Sequence, residues 1–313
     1  MCGRACNGTP RWWRFSSTTG SRLLVVANPD YDDSSSLSEL AGGGRPAEPT
    51  APSPRAGCAR FRDVRFAPLP ATQVEAEEIL SLWREARGPA AGSGAGATAD
   101  AIRLSEAAAT EGAFKRQAAG ADVIHLATHG FFLEGSCRAS DDALRGIGGS
   151  SPSAEAARPG GASLELADGN PMLLSGLVLA GANHRLQVGE GEEDGILSAQ
   201  EIAALDLSEA GLVVLSACDT GRGAILSGEG IFGLRRAFEL AGARALVLSL
   251  WAVEDRAARE WMRDFYRKRL VEGLGVAFAV REAGLAALSK RKAEGRSTHP
   301  FWWGAWVGTG AWD

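Results

Sequence analysis

The chain has 313 residues, enough for one large domain or two small ones. Hydrophobic residues make up 45% and charged residues 23%, with a mean hydropathy of −0.07, which excludes a wholly disordered chain. A net charge of −5 offers no basic excess to hold nucleic acid, and no apolar run reaches the roughly 18–20 residues of a membrane span.

Residues 1–21 carry Arg4, Arg11 and Arg14 among several Ser and Thr, and no acid precedes Asp30. The composition is faintly like an organelle transit peptide but lacks an amphipathic helix, so it reads as a disordered tail. Cys2, Cys6, Cys58, Cys137 and Cys218 are odd in number and irregularly spaced, which argues against a disulfide framework. A cytoplasmic protein is the expectation.

The first strand is expected at Leu23–Ala27, a continuous apolar run. Residues 32–57, rich in Ser, Gly and Pro, read as a loop insertion. Thr72-Gln73-Val74-Glu75 reads as a capping box that opens a helix presenting Ala76, Ile79 and Trp83 on one face. A Gly/Ala stretch at 88–97 then separates two helical segments, and a strand follows at Val123–Thr128. A second loop insertion covers 134–163. Further strands are expected at Leu177–Ala180, Leu212–Ala217 and Ala245–Leu250, with helical stripes at Ile231, Leu234, Phe238 and Ala241 and at Leu274, Phe278, Leu285 and Leu288. Phe301, Trp302, Trp303 and Trp306 alternate with small residues as a closing core strand would. Alternation of buried strands and helices predicts a single α/β domain with a mainly parallel sheet covered on both faces.

In such sheets ligands bind beyond the carboxyl ends of the strands. Two of those ends carry reactive side chains: His129-Gly130 after VIHLAT, and Cys218-Asp219-Thr220-Gly221 after LVVLSA. A base within reach of a thiol, with glycine beside it to admit a substrate carbonyl, is what nucleophilic thiol catalysis requires. His125 reads as a packed residue or one that supports the site from behind. HLATH lacks the Glu of a zinc-protease helix, so no metal is expected. His184 falls in a polar loop, and His299 reads as a structural contact. Gly228–Gly233 formally fits G-x-G-x-x-G, but ten residues separate it from its strand, which speaks against a dinucleotide site.

These residues resemble the CHAT domain, a caspase-like module often attached to tetratricopeptide repeats and related to caspases and separase. The resemblance runs in order through LLVVANPDY, FAPLPATQVEAEEI, DVIHLATHGFF, LLSGLVLAGAN, DGILSAQEIAALDL, LVVLSACDTGRG, GEGIFGLRRAFELAGARALVLSLWAVED and HPFWWGAWVGTG, covering about residues 22–313. It implies a caspase-like three-layer sandwich and a cysteine endopeptidase acting on protein substrates without a cofactor. His129 would be the base, Cys218 the nucleophile, and the backbone N–H groups of Gly130 and Cys218 the oxyanion hole. Asp255 matches an acidic position that would line the pocket for the residue before the cleaved bond. A separate repeat-containing or sensor protein is a further implied partner, since no repeat array lies within this chain. The alternative is a catalytically silent CHAT-fold interaction or scaffold module.

Overall fold

The computed structural model describes residues 21–33, 64–87, 101–132, 172, 175–188, 193–216, 228–251 and 253–311. Its core is a sheet whose central strands are the four long apolar runs: β1 (Leu23–Pro29), β3 (Val123–Ala127), β7 (Leu212–Leu215) and β8 (Ala245–Ser249). With β2 (Ala101–Glu106) and β9 (Trp306–Gly310) at its edges, the sheet has the order β2-β1-β3-β7-β8-β9. All neighbours are parallel except β8 and β9. Strand periodicity sends Leu23, Val25 and Ala27 to one face and Leu24 and Val26 to the other, and all five are fully buried. Burial on both faces is why these strands read as unbroken apolar runs.

One face is covered by α1 (Pro70–Arg87), α5 (Asp255–Tyr266) and α6 (Val276–Ala293) through Ile79, Trp83, Trp261, Phe265 and Ala283. The other carries α2 (Glu111–Ala118), α3 (Ala199–Ala203) and α4 (Gly228–Leu240), which contribute Phe114, Ile202, Leu234 and Phe238. Each of the larger of these side chains contributes about 1.5–3 kcal/mol by leaving water. The result is the expected three-layer α/β domain with a mainly parallel mixed sheet, consistent with a caspase-like fold.

A small antiparallel sheet, β4 (Gly130–Phe132), β5 (Ser175–Val178) and β6 (Ile196–Ser198), packs beside α4. Gly176 of β5 has no room for a side chain, because a Cβ there would lie 2.6 Å from the Leu197 carbonyl oxygen and 2.8 Å from the Phe131 ring. A charged cluster joins α2 to the chain around β6. Lys115 Nζ lies 2.8 Å from Glu111, 3.3 Å from Glu201 and 3.5 Å from Glu193. Burial, and then the Glu201 charge, push the Glu111 carboxyl up to about 8. Burial alone would lower the Lys115 ammonium, but its hydrogen bond to Glu111 and the surrounding carboxylates raise it.

Several expectations are corrected. α1 begins at Pro70 rather than after Thr72, and proline suits the first helical turn because its missing N–H has no intrahelical partner there. Thr72 instead donates its hydroxyl to the Leu69 carbonyl, and Glu75 turns into the core. The stretch 88–97 lies outside the described residues, and the element that follows it is the strand β2, not a helix. The strand expected at Leu177–Ala180 is β5, outside the main sheet. α6 buries Val276, Ala279, Ala283 and Gly284, while Phe278 is exposed, because small residues let the helix approach β9 closely. Only Trp306 of the closing aromatics enters β9 and the core. Phe301 and Trp302 lie in a 3-10 turn and are about half exposed. Ser21 is buried and its carbonyl accepts from Arg87, so it belongs to the domain rather than the tail. Residues 1–20, the loop at 134–163 and all but Asp32 and Asp33 of the first loop lie outside the described residues.

Candidate active site

β3 and β7 run side by side in parallel, with Leu126 opposite Leu215. The register therefore carries an offset of 89 residues, the same offset that separates His129 from Cys218. Beyond the strand, Ser216 N–H donates to the Leu126 carbonyl at 2.9 Å. Cys218 itself, with residues 217–227, lies outside the described residues.

His129 follows β3 by two residues and is 5% exposed. Its Nε2 lies 2.8 Å from the carbonyl oxygen of Ala67. A carbonyl can only accept, so this bond assigns the ring proton to Nε2 and leaves Nδ1 as the basic nitrogen. Tyr31 and Phe66 pack against the imidazole, with ring centroids 5.1 and 5.6 Å away. Thr128, immediately before the histidine, donates its hydroxyl proton to the Val178 carbonyl. The Tyr31 hydroxyl, 2.9 Å from Thr128 Oγ1, must then be the donor in that pair. The imidazole is thus oriented by a third group, as an effective base requires.

Gly130 opens β4 opposite Leu177. Because Val178 N–H donates to the His129 carbonyl at 2.9 Å, Gly130 and Leu177 form the non-hydrogen-bonded pair of the antiparallel ladder. The Gly130 N–H is therefore directed away from β5, at the outer edge of the small sheet. An N–H so directed, next to His129, has the placement an oxyanion donor would need.

His125 takes no part in this arrangement. It sits on β3 facing α1 and α5, fully buried, with Nδ1 3.1 Å from the Tyr266 hydroxyl. Its Nε2 lies 3.0 Å from Glu75 Oε1, a close polar contact without the in-line geometry of a hydrogen bond. Burial, and then the Glu75 charge, raise the Tyr266 hydroxyl well above its ordinary value. His184 lies in a 3-10 turn and bonds the Asp32 carbonyl, and His299 caps the turn at Pro300–Trp302 by accepting from Phe301 N–H. The G-x-G-x-x-G run forms the first turns of α4 rather than a strand-to-helix loop.

Asp255 is the first residue of α5, at the end of the segment that leaves the carboxyl end of β8. The cap of α5 is Glu254, whose carboxylate accepts from the Arg256 and Ala257 N–H groups. Sequence reasoning missed the Ala67 carbonyl, since a main-chain oxygen leaves no mark in composition. The available signal was Ala67-Pro68, since a residue before proline is driven to extended backbone.

A family model, the CHAT domain, matches residues 10–311, nearly the whole chain. No curated protein matches it.

Proposed function

The chain belongs to the CHAT domain family, whose relatives include cysteine peptidases, and we propose on that footing that it is a cysteine endopeptidase cleaving protein substrates through His129 and Cys218. The observation that carries the reading is the bond from His129 Nε2 to the Ala67 carbonyl, which prepares Nδ1 as a base at the edge where β7 leads to Cys218. The shared offset of 89 residues supports the same pairing.

In this mechanism Nδ1 of His129 takes the Cys218 thiol proton, and the thiolate attacks the scissile carbonyl carbon. The oxyanion of the tetrahedral intermediate accepts from the N–H groups of Gly130 and Cys218. The imidazolium then gives its proton to the departing amine, leaving an acyl-enzyme. Water, deprotonated by the same nitrogen, hydrolyses the thioester and restores the thiol. No cofactor enters. Asp255 would face a basic side chain before the scissile bond; Glu254 already fills the competing role of helix cap. A separate repeat-containing or sensor protein would deliver substrate or trigger activity, in the cytoplasm. Among the described residues, no helix is long and apolar enough to cross a membrane.

The test is labelling with a thiol-directed peptidyl electrophile, paired with a proteome-derived peptide digest comparing the wild type with Cys218→Ala. Labelling confined to Cys218, with cleavage lost in the variant, is expected. A folded protein that neither labels nor cleaves would favour the scaffold alternative.

A further inference from the structure

The strip 64–69 carries the Ala67 carbonyl yet belongs to no strand. Ala67 is exposed, so packing of its own side chain does not fix its direction. Side chains take the place of a strand partner. The Asn183 carboxamide accepts from Phe66 N–H at 2.9 Å and donates to the Phe66 carbonyl at 3.0 Å, satisfying both main-chain groups of that residue. Its Nδ2 also donates to Asp32 Oδ1 at 2.9 Å, which leaves one assignment of the amide oxygen and nitrogen. Asn183 N–H donates to the carbonyl of Tyr31, the residue whose ring packs on His129.

At the far end, Leu69 N–H donates to Asn28 Oδ1 at 3.0 Å, and Asn28 N–H donates to Thr72 Oγ1 at 2.9 Å. Asn28 has φ of +46°, a left-handed conformation that asparagine tolerates better than most residues. Arg185 holds the near end through the Val64 carbonyl at 2.7 Å. With Phe66 and Leu69 held, little freedom remains in the peptide that points at His129 Nε2.

We infer that Asn183 is a positioning residue for His129, acting through the main chain of Phe66 and Ala67, with Asn28 holding the other end of the same strip. The pair sets which imidazole nitrogen carries the proton. The kinetic consequence rests on His129 being the base proposed above; the tautomer does not.

The test is nitrogen-15 NMR of the histidine rings in the full chain. Wild-type His129 is expected as the Nε2–H tautomer. Asn183→Ala should populate the Nδ1–H form and move the His129 titration midpoint, with His125 and His299 unchanged as reporters of an intact fold. On a cleaved peptide, kcat should fall about 10- to 100-fold with KM little altered, the scale of a misplaced catalytic group. Asn183→Asp keeps the acceptor for Phe66 N–H but sets a carboxylate against the Phe66 carbonyl and Asp32 Oδ1, so it should shift the tautomer at least as far as alanine; it gives the same reading if the alanine variant does not fold. Wild-type His129 in the Nδ1–H form would overturn the inference, as would a folded Asn183→Ala with unchanged His129 tautomer and titration. If the wild type cleaves nothing, the peptidase reading fails while the NMR arm still decides this one.

Discussion

Glu75 Oε1 lies 3.0 Å from His125 Nε2 inside the domain, and both side chains are almost wholly buried. The contact joins α1 to β3, and the Tyr266 hydroxyl on the other ring nitrogen adds α5. His125 is therefore a core partner, four residues from the catalytic candidate and on a different task. His125→Gln should lower folding stability by about 1–3 kcal/mol, because it removes the Tyr266 hydrogen bond and the packed ring beside the buried Glu75 carboxyl. Turnover per folded molecule should stay near wild type. Denaturant unfolding run beside active-site titration separates the two quantities. His129→Gln should show the opposite pattern.

Gly130→Val tests the oxyanion assignment. The branched side chain would stiffen and crowd the edge toward which the Gly130 N–H is directed. Turnover should fall about 10²-fold or more, the scale of losing one oxyanion donor, with labelling of Cys218 less affected. Steady-state kinetics on one peptide suffice, and unchanged kcat would remove Gly130 from the chemistry.

Asp255→Asn addresses specificity. Since Glu254 supplies the cap of α5, the change should leave thermal stability within about 0.5 kcal/mol. Loss of the carboxylate should cut kcat/KM for Arg and Lys before the scissile bond about 10- to 100-fold, through a lost charge-assisted bond. Apolar substrates should change little. A wild-type profile without basic preference removes Asp255 from the pocket.

Glu111 makes a prediction about pH. Its carboxyl is raised from 4.5 to about 8, so the folded state binds a proton that the unfolded state has released across that interval. Folding therefore loses stability as pH rises. The contribution is present in full below about 4.5 and gone once pH passes about 8. Between those limits the wild type should lose on the order of 1–3 kcal/mol more than Glu111→Gln. Parallel denaturation series at several pH values measure the difference, in which everything common to the two proteins cancels.

The central strands were legible because burial on both faces demands unbroken apolar runs, as in LLVVA and ALVLS. β2 escaped because it is an edge strand with only Leu104 buried, so AIRLSE carries no such run. β4 and β6 have three residues each, too few to show a period, while β5 was legible as a strand but not as part of a separate sheet. His129 and Gly130 stood out where an apolar run stopped at polar chemistry. Ala67 did not, since it acts through its backbone, and the partner of His125 was hidden once Glu75 was assigned to a cap.

Phe132 and Ser175 are paired in the antiparallel ladder of β4 and β5. Two positions far apart in sequence are thus adjacent in space, and the first of them lies three residues beyond His129. Between anchors held so close together, each doubling of a flexible loop's length adds only about 0.6 kcal/mol of closure entropy. Length can therefore vary between these two anchors without touching the contacts that hold the His129 imidazole.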